Sequence, residues 1–256
     1  MWFEKMWESF ETYWSSVGLG MAIVLLALLF FTNVLRQNLQ ITRWKDPVWL
    51  AWAMAVAYML HNFEEYGIDA LGRSFHFPVT ACETFGFTGG ESCPLTPAFF
   101  VSVNIPCVWI AFVLAALLSR RNHAIGLTAS AVLFTNALSH LAVIPTSGYT
   151  PGAVTAAVIF IPLSLWVFFT QFGRNKVRIP VLVAIFLAAI VTQGVLLLLL
   201  MGLATATITE GAAMVIMTLA ASPLILFPWA ASAIWPTAQP PRVSDMSQSD
   251  SLHEAS

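Results

Sequence analysis

His61-Asn62-Phe63-Glu64-Glu65-Tyr66 closes an apolar run, Pro47–Leu60, that carries no charged side chain. A histidine and two carboxylates within five residues, beside hydrocarbon-like sequence, are costly unless they have partners or a task. Working outward, 58% of the 256 residues are hydrophobic, 9% are charged, and the mean hydropathy is +0.78. Soluble domains carry about 25% charged residues. So little charge cannot cover a soluble fold, and the solvent for most of this chain is lipid. The net charge of -2 says nothing about nucleic acid, but no basic patch or recognition motif appears, and no nucleic-acid partner is expected. Three cysteines are too few for a disulfide scaffold.

Spans of about 20 apolar residues cross a bilayer, and the chain offers seven. They are Val17–Leu35, Pro47–Glu65, Ala98–Leu118, Ala124–Pro145, Gly152–Phe172, Pro180–Gly202 and Gly211–Trp235. The expected fold is an all-α, polytopic membrane helix bundle spanning residues 1–235. The polar tail 236–256 is expected to be disordered and cytoplasmic. Residues Trp2, Phe3, Met6, Trp7, Phe10, Tyr13 and Trp14 recur at helical spacing, with Glu4, Lys5, Glu8 and Glu11 on the other face. They predict an N-terminal interfacial helix; the alternative is an early first turn of the first span. The acidic start does not fit a signal peptide.

Basic residues orient the bundle. With the N-terminus outside, Arg36, Arg43, Lys45, Arg120, Arg121, Arg174, Lys176, Arg178 and Arg242 lie inside, and only Lys5 and Arg73 lie outside. The expectation is therefore N-out, C-in, in a bacterial inner membrane. Pro106, Pro162, Pro223 and Pro228 fall within spans and predict kinks.

This topology gives the opening cluster a depth. His61 lies about five residues from the outer end of the second span, ~7 Å at 1.5 Å per residue. The fourth span also runs outward, and His140 sits equally close to its outer end. Two histidines on different helices are thus predicted at one level. His61, Glu64 and Glu65 stand at i, i+3 and i+4, and Asn136 and His140 at i and i+4, so each set shares a helix face.

His61-x-x-Glu64-Glu65, followed by Asn136-x-x-x-His140, resembles the HXXEE family of bacterial membrane proteins. The resemblance covers the second to fourth spans. It implies that these residues matter and brings no reaction with it.

Imidazole and carboxylate together suit zinc, iron or manganese, and helix bundles build such sites from facing Glu and His. The candidate ligands are His61, Glu64, Glu65 and His140. The candidate catalytic residues are Glu64 and Glu65 as general base and Asn136 as a substrate or ligand-orienting group. The favoured expectation is an intramembrane, metal-dependent, hydrolase-like enzyme acting on an apolar or lipid-like substrate from the outer leaflet. Alternatives are a metal-free Glu–His acid/base site in an isomerase or cyclase, a haem held by the two histidines, a proton- or metal-coupled transporter, and a non-catalytic subunit. Asn104, Thr192 and Gln193 read as ordinary interhelical hydrogen bonders, and Glu210 as a rim carboxylate. The loop Tyr66–Pro97 is long and aromatic and reads as a lid or re-entrant segment, in which Cys82 and Cys93 are free to pair. His76 reads as a surface histidine, and Cys107 as a small apolar packer.

Overall fold

The computed structural model describes residues 2–87, 93–174 and 176–237. The expected tail and Gly89, Gly90 and Glu91 of the loop lie outside these residues, apart from the tail's first two positions. Among the described residues, eight helices make up the fold: α1 Trp2–Phe31, α2 Pro47–Tyr66, α3 Phe77–Thr84, α4 Pro97–Leu118, α5 His123–Ser147, α6 Ala153–Gln171, α7 Ile179–Ala204 and α8 Glu210–Ile234. Among the described residues, no strand forms. Six helices (α1 and α4 to α8) are long and apolar enough to cross a membrane. The protein is a multi-pass membrane protein. The remaining expected span, the second, is α2, the core around which the others pack. Its 20 residues rise ~30 Å, the thickness of a hydrocarbon core, and sixteen of them are buried.

The burial of α2 explains its sequence. A helix enclosed by α1, α4, α5 and α6 has no lipid to face, so it tolerates His61, Asn62, Glu64 and Glu65 once each is given a partner. Its start is fixed by Asp46, whose Oδ1 accepts from Val48 N–H and Trp49 N–H while Oδ2 accepts from Gln37 and Asn38 N–H. Those bonds satisfy orphan donors of the first turn, and Pro47 occupies the first helical position, where its missing N–H costs nothing.

The N-terminal segment departs from the expectation of a separate interfacial helix. Trp2 to Phe31 form one unbroken helix. No proline or capping break separates the amphipathic turns from the apolar ones, so the backbone ladder continues. The helix is ~45 Å long, about 15 Å more than the hydrocarbon core needs. Trp14 lies on its inner face, fully buried against Tyr66 and Trp109.

Three of the four expected proline sites disturb a helix as predicted. Pro106 lies in a π-turn, Ile105–Ile110, within α4. A second π-turn, Ala156–Phe160, precedes Pro162 in α6. α8 breaks at a turn just before Pro223, which has no N–H to continue the ladder. Pro228 sits inside a helical segment. The loop between α2 and α4 carries α3, and Cys82 and Cys93 are joined in a disulfide with their Cα atoms 5.9 Å apart. Phe77 at the start of α3 packs against Tyr66, Phe100 and His140, so the loop folds back over the end of the bundle that holds the polar cluster.

Candidate metal centre

The two histidines meet. The imidazoles of His61 on α2 and His140 on α5 have ring centroids 4.9 Å apart, edge to face. Glu65 Oε1 lies between them, 3.4 Å from His61 Nε2 and 3.2 Å from His140 Nε2. All three residues are buried, His61 completely. Their ligand atoms lie within 4.8 Å of one another. Tetrahedral ligands about 2 Å from a zinc-sized ion stand ~3.3 Å apart, and the two contacts to Glu65 have that spacing.

The tautomer of His61 follows from its other nitrogen. His61 Nδ1 is 2.8 Å from Thr155 Oγ1. The Thr155 hydroxyl has one proton, and two acceptors compete for it: Glu64 Oε2 at 2.6 Å and Gly152 O at 3.1 Å. The oxygen therefore accepts from His61 Nδ1–H. In the neutral ring Nε2 then carries the lone pair; it is buried and makes no hydrogen bond, with Glu65 Oε1 3.4 Å away. A buried acceptor without a partner is costly. Here it points at Glu65, in the state a metal ligand needs.

Glu65 is held from its far side. Asn62 Nδ2 donates to Glu65 Oε2 at 3.1 Å and to Asn104 Oδ1 at 3.0 Å, and Trp109 Nε1–H donates to Asn62 Oδ1 at 2.8 Å. An indole only donates, so it fixes which end of the Asn62 amide faces Glu65. Asn104 Nδ2 donates in turn to Phe100 O and Tyr66 Oη. The bonds of Asn62 to Asn104, Trp109 to Asn62 and Asn104 to Tyr66 are interhelical, as expected for Asn104, and the Asn62 bond to Oε2 leaves Glu65 Oε1 for the imidazoles.

Glu64 is placed elsewhere. Its four lone-pair sites are all taken. Oε1 accepts from Tyr149 O–H at 2.9 Å and Val154 N–H at 3.1 Å, and Oε2 accepts from Thr155 N–H at 2.7 Å and from the Thr155 hydroxyl. Val154 and Thr155 open α6, where backbone N–H groups lack helical partners and the dipole favours an anion. Glu64 thus caps α6 from another helix and stands outside the ligand set. Sequence spacing cannot separate it from Glu65. Tyr149, in the turn before α6, also accepts from Ala70 N–H. Burial, then the Glu64 carboxylate, push its phenol up, so it stays a donor.

Among the described residues, Asn136 makes no hydrogen bond to His61, Glu65 or His140. Its Nδ2 donates to Tyr58 Oη at 3.4 Å, and its Oδ1 is buried without a partner. Tyr58 packs edge-on to His61, beside Phe160, whose ring lies 4.5 Å from His61. Glu210 accepts from the Thr96 hydroxyl at the start of α4, His76 precedes α3, and Cys107 is buried. None of these joins the centre. Thr192 bonds to Ala188 O and Ala220 O.

Four contributors escaped the sequence reading: Asn62, Trp109, Tyr149 and Thr155. Asn62 was visible within the opening stretch but points to another face from His61. In the sequence Gly152 marks only the start of a span. At φ +91° it lets the backbone cross above the cluster, where a Cβ would sit 2.7 Å from His61 Cε1 and 2.8 Å from His140 Cε1.

No curated protein and no solved structure matches the chain. Residues 52–167, which carry every side chain of the cluster, match the family described as "Protein of unknown function with HXXEE motif".

Proposed function

We propose that the protein is an intramembrane, metal-dependent enzyme whose ion is held by His61, Glu65 and His140 and whose substrate is apolar or lipid-like. One observation carries the reading: His61 Nε2 is buried and bare, with Glu65 Oε1 and His140 Nε2 at ligand spacing. Zinc, iron or manganese fits this donor set, and three protein ligands leave a position at which such an ion acidifies water for hydrolysis. The residues of this chain do the rest. Thr155 keeps the His61 proton on Nδ1. Asn62 fixes Glu65. α3, Gly152 and Phe77 cover the centre against bulk water. Asn136 Oδ1 and Tyr58 Oη, near the cluster, offer polar contacts to a substrate. The polar groups gather at one end of the bundle, which favours a one-sided pocket over a transport path. The basic-residue bias supports N-out, C-in, with the centre near the outer face of a bacterial inner membrane.

A second reading has its own support. Glu65 Oε1 lies close to both imidazoles without help from an ion, as suits a metal-free acid/base site for isomerising or cyclising a lipid-like substrate. Elemental analysis of the gently purified full chain separates the two. The metal reading expects one ion per chain in the wild type and none in His61→Ala or His140→Ala. A metal-free wild type that rebinds neither zinc, iron nor manganese sinks it and leaves the acid/base reading.

A further inference from the structure

A second feature of the bundle lies beneath the centre. Between α1, α2 and α6 runs a cleft of about 690 Å³ with almost wholly apolar walls. Its floor is one face of α2, Trp49, Ala53, Ala57 and Leu60, at helical spacing. Alanines on that face make the cleft, because larger side chains would fill it. From Trp49 to Leu60 it rises ~16 Å, about half of the ~30 Å hydrocarbon core. It is therefore one leaflet deep.

The two ends differ. The lower end is bordered by Trp44, Lys45 and Trp166. Trp166 Nε1–H donates to Trp44 O, and indoles at that level mark the headgroup zone. The Lys45 ammonium is exposed and, among the described residues, has no carboxylate in ion-pair contact. The adjacent Asp46 carboxylate is fully buried and occupied by four backbone N–H groups. The upper end leads to the centre. One turn beyond Leu60 on the same face of α2 is Glu64. One turn before Ile159, which lines the α6 wall, is Thr155. Glu64 and Thr155 are bonded to each other, and Thr155 to His61.

We propose that this cleft holds one acyl chain of an anionic phospholipid, with its headgroup at Lys45 and its chain end beneath the Glu64–Thr155 bridge. The lipid then approaches the centre along the bilayer from the Lys45 side. This differs from the outer-leaflet approach that the depth of the histidines suggests by itself. Binding of the lipid stands apart from the enzyme reading; only its role as substrate class rests on that reading.

The test is native mass spectrometry of the full chain released from nanodiscs of equal phosphatidylglycerol and phosphatidylcholine. The wild type is expected to retain one phosphatidylglycerol, about fivefold over phosphatidylcholine, as one interfacial lysine confers. Lys45→Gln brings the ratio to about one. Ala53→Trp and Val158→Trp fill the cleft and lower total retention about fivefold or more, while Leu187→Trp on α7 leaves it unchanged. Val158 is 64% exposed, so its tryptophan reports on the cleft even if Ala53→Trp does not fold. The proposal is overturned if the wild type retains no lipid, if both cleft-filling variants retain as much as wild type, or if Lys45→Gln keeps the preference. Metal content is read on the same samples. Metal without retained lipid sinks the cleft alone, and retained lipid without metal supports the cleft and sinks the enzyme reading.

Discussion

Thr155→Val keeps the volume of the side chain and removes the acceptor of the His61 Nδ1–H bond, which is 2.8 Å long. His61 has no solvent exposure, so no bulk water replaces that acceptor. The ring then has two options. It can keep the proton on Nδ1, leaving a buried donor unpaired at a cost of about 1–3 kcal/mol. It can instead move the proton to Nε2, which blocks the lone pair facing Glu65. The first destabilises metal-free and metal-bound protein alike, whereas the second lowers metal affinity by the cost of that unpaired donor, because the ion must drive the proton back to Nδ1. At 1.4 kcal/mol per tenfold, the expected loss is about 5- to 140-fold, which brackets the roughly 10- to 100-fold loss typical when a partner behind a metal-bound histidine is removed. The assay is competition for zinc against a chromophoric chelator, with the full chain in detergent. Valine also removes the Thr155 hydroxyl bond to Glu64, so the metal-free protein should melt earlier. The rise in Tm on adding zinc reads the metal contribution separately from that loss. Thr155→Ser should restore most of the affinity, because it restores the hydroxyl. The reasoning is refuted if Thr155→Val binds zinc within about twofold of wild type while His61→Ala has lost it.

Further predictions follow from the same geometry. Glu64→Gln should retain metal yet lower thermal stability by about 1–3 kcal/mol, because a charged acceptor of four hydrogen bonds becomes a neutral amide; loss of metal with unchanged Tm would return Glu64 to the ligand set. Gly152→Ala should cost ~1–2 kcal/mol for the left-handed backbone and push both imidazoles aside, and the check is a joint fall in Tm and zinc affinity. For orientation, Leu71→Cys in the α2–α3 loop should react with a membrane-impermeant maleimide from outside intact cells, and Leu39→Cys only after permeabilisation. The opposite pattern would invert the topology.

The sequence reaches far into this fold because a bilayer makes its demands locally. Each span has to be apolar over about 20 residues, and basic residues mark one side, so span boundaries read from hydropathy agree with the helices to within a few residues for α2 and α4 to α8. α1 is the exception. Its polar and apolar turns obey different solvents but share one hydrogen-bond ladder, and composition cannot show where a ladder breaks. The same local logic placed His61 and His140 at one depth.

Composition and periodicity by themselves determined a polytopic helical bundle, the level of its two buried histidines and a carboxylate pair beside one of them. The tertiary structure decided which carboxylate serves the histidines. Residues three and four apart differ by about 100° around a helix, so both Glu64 and Glu65 satisfy the face rule, and only the placement of neighbouring helices separates them. The start of α6 meets Glu64 with its unpaired N–H groups, and α5 meets Glu65 with His140. Thr155, 94 residues from His61 in the chain, becomes its partner because α6 begins beside α2. Contacts of that kind depend on how helices pack, and no spacing along one helix encodes them.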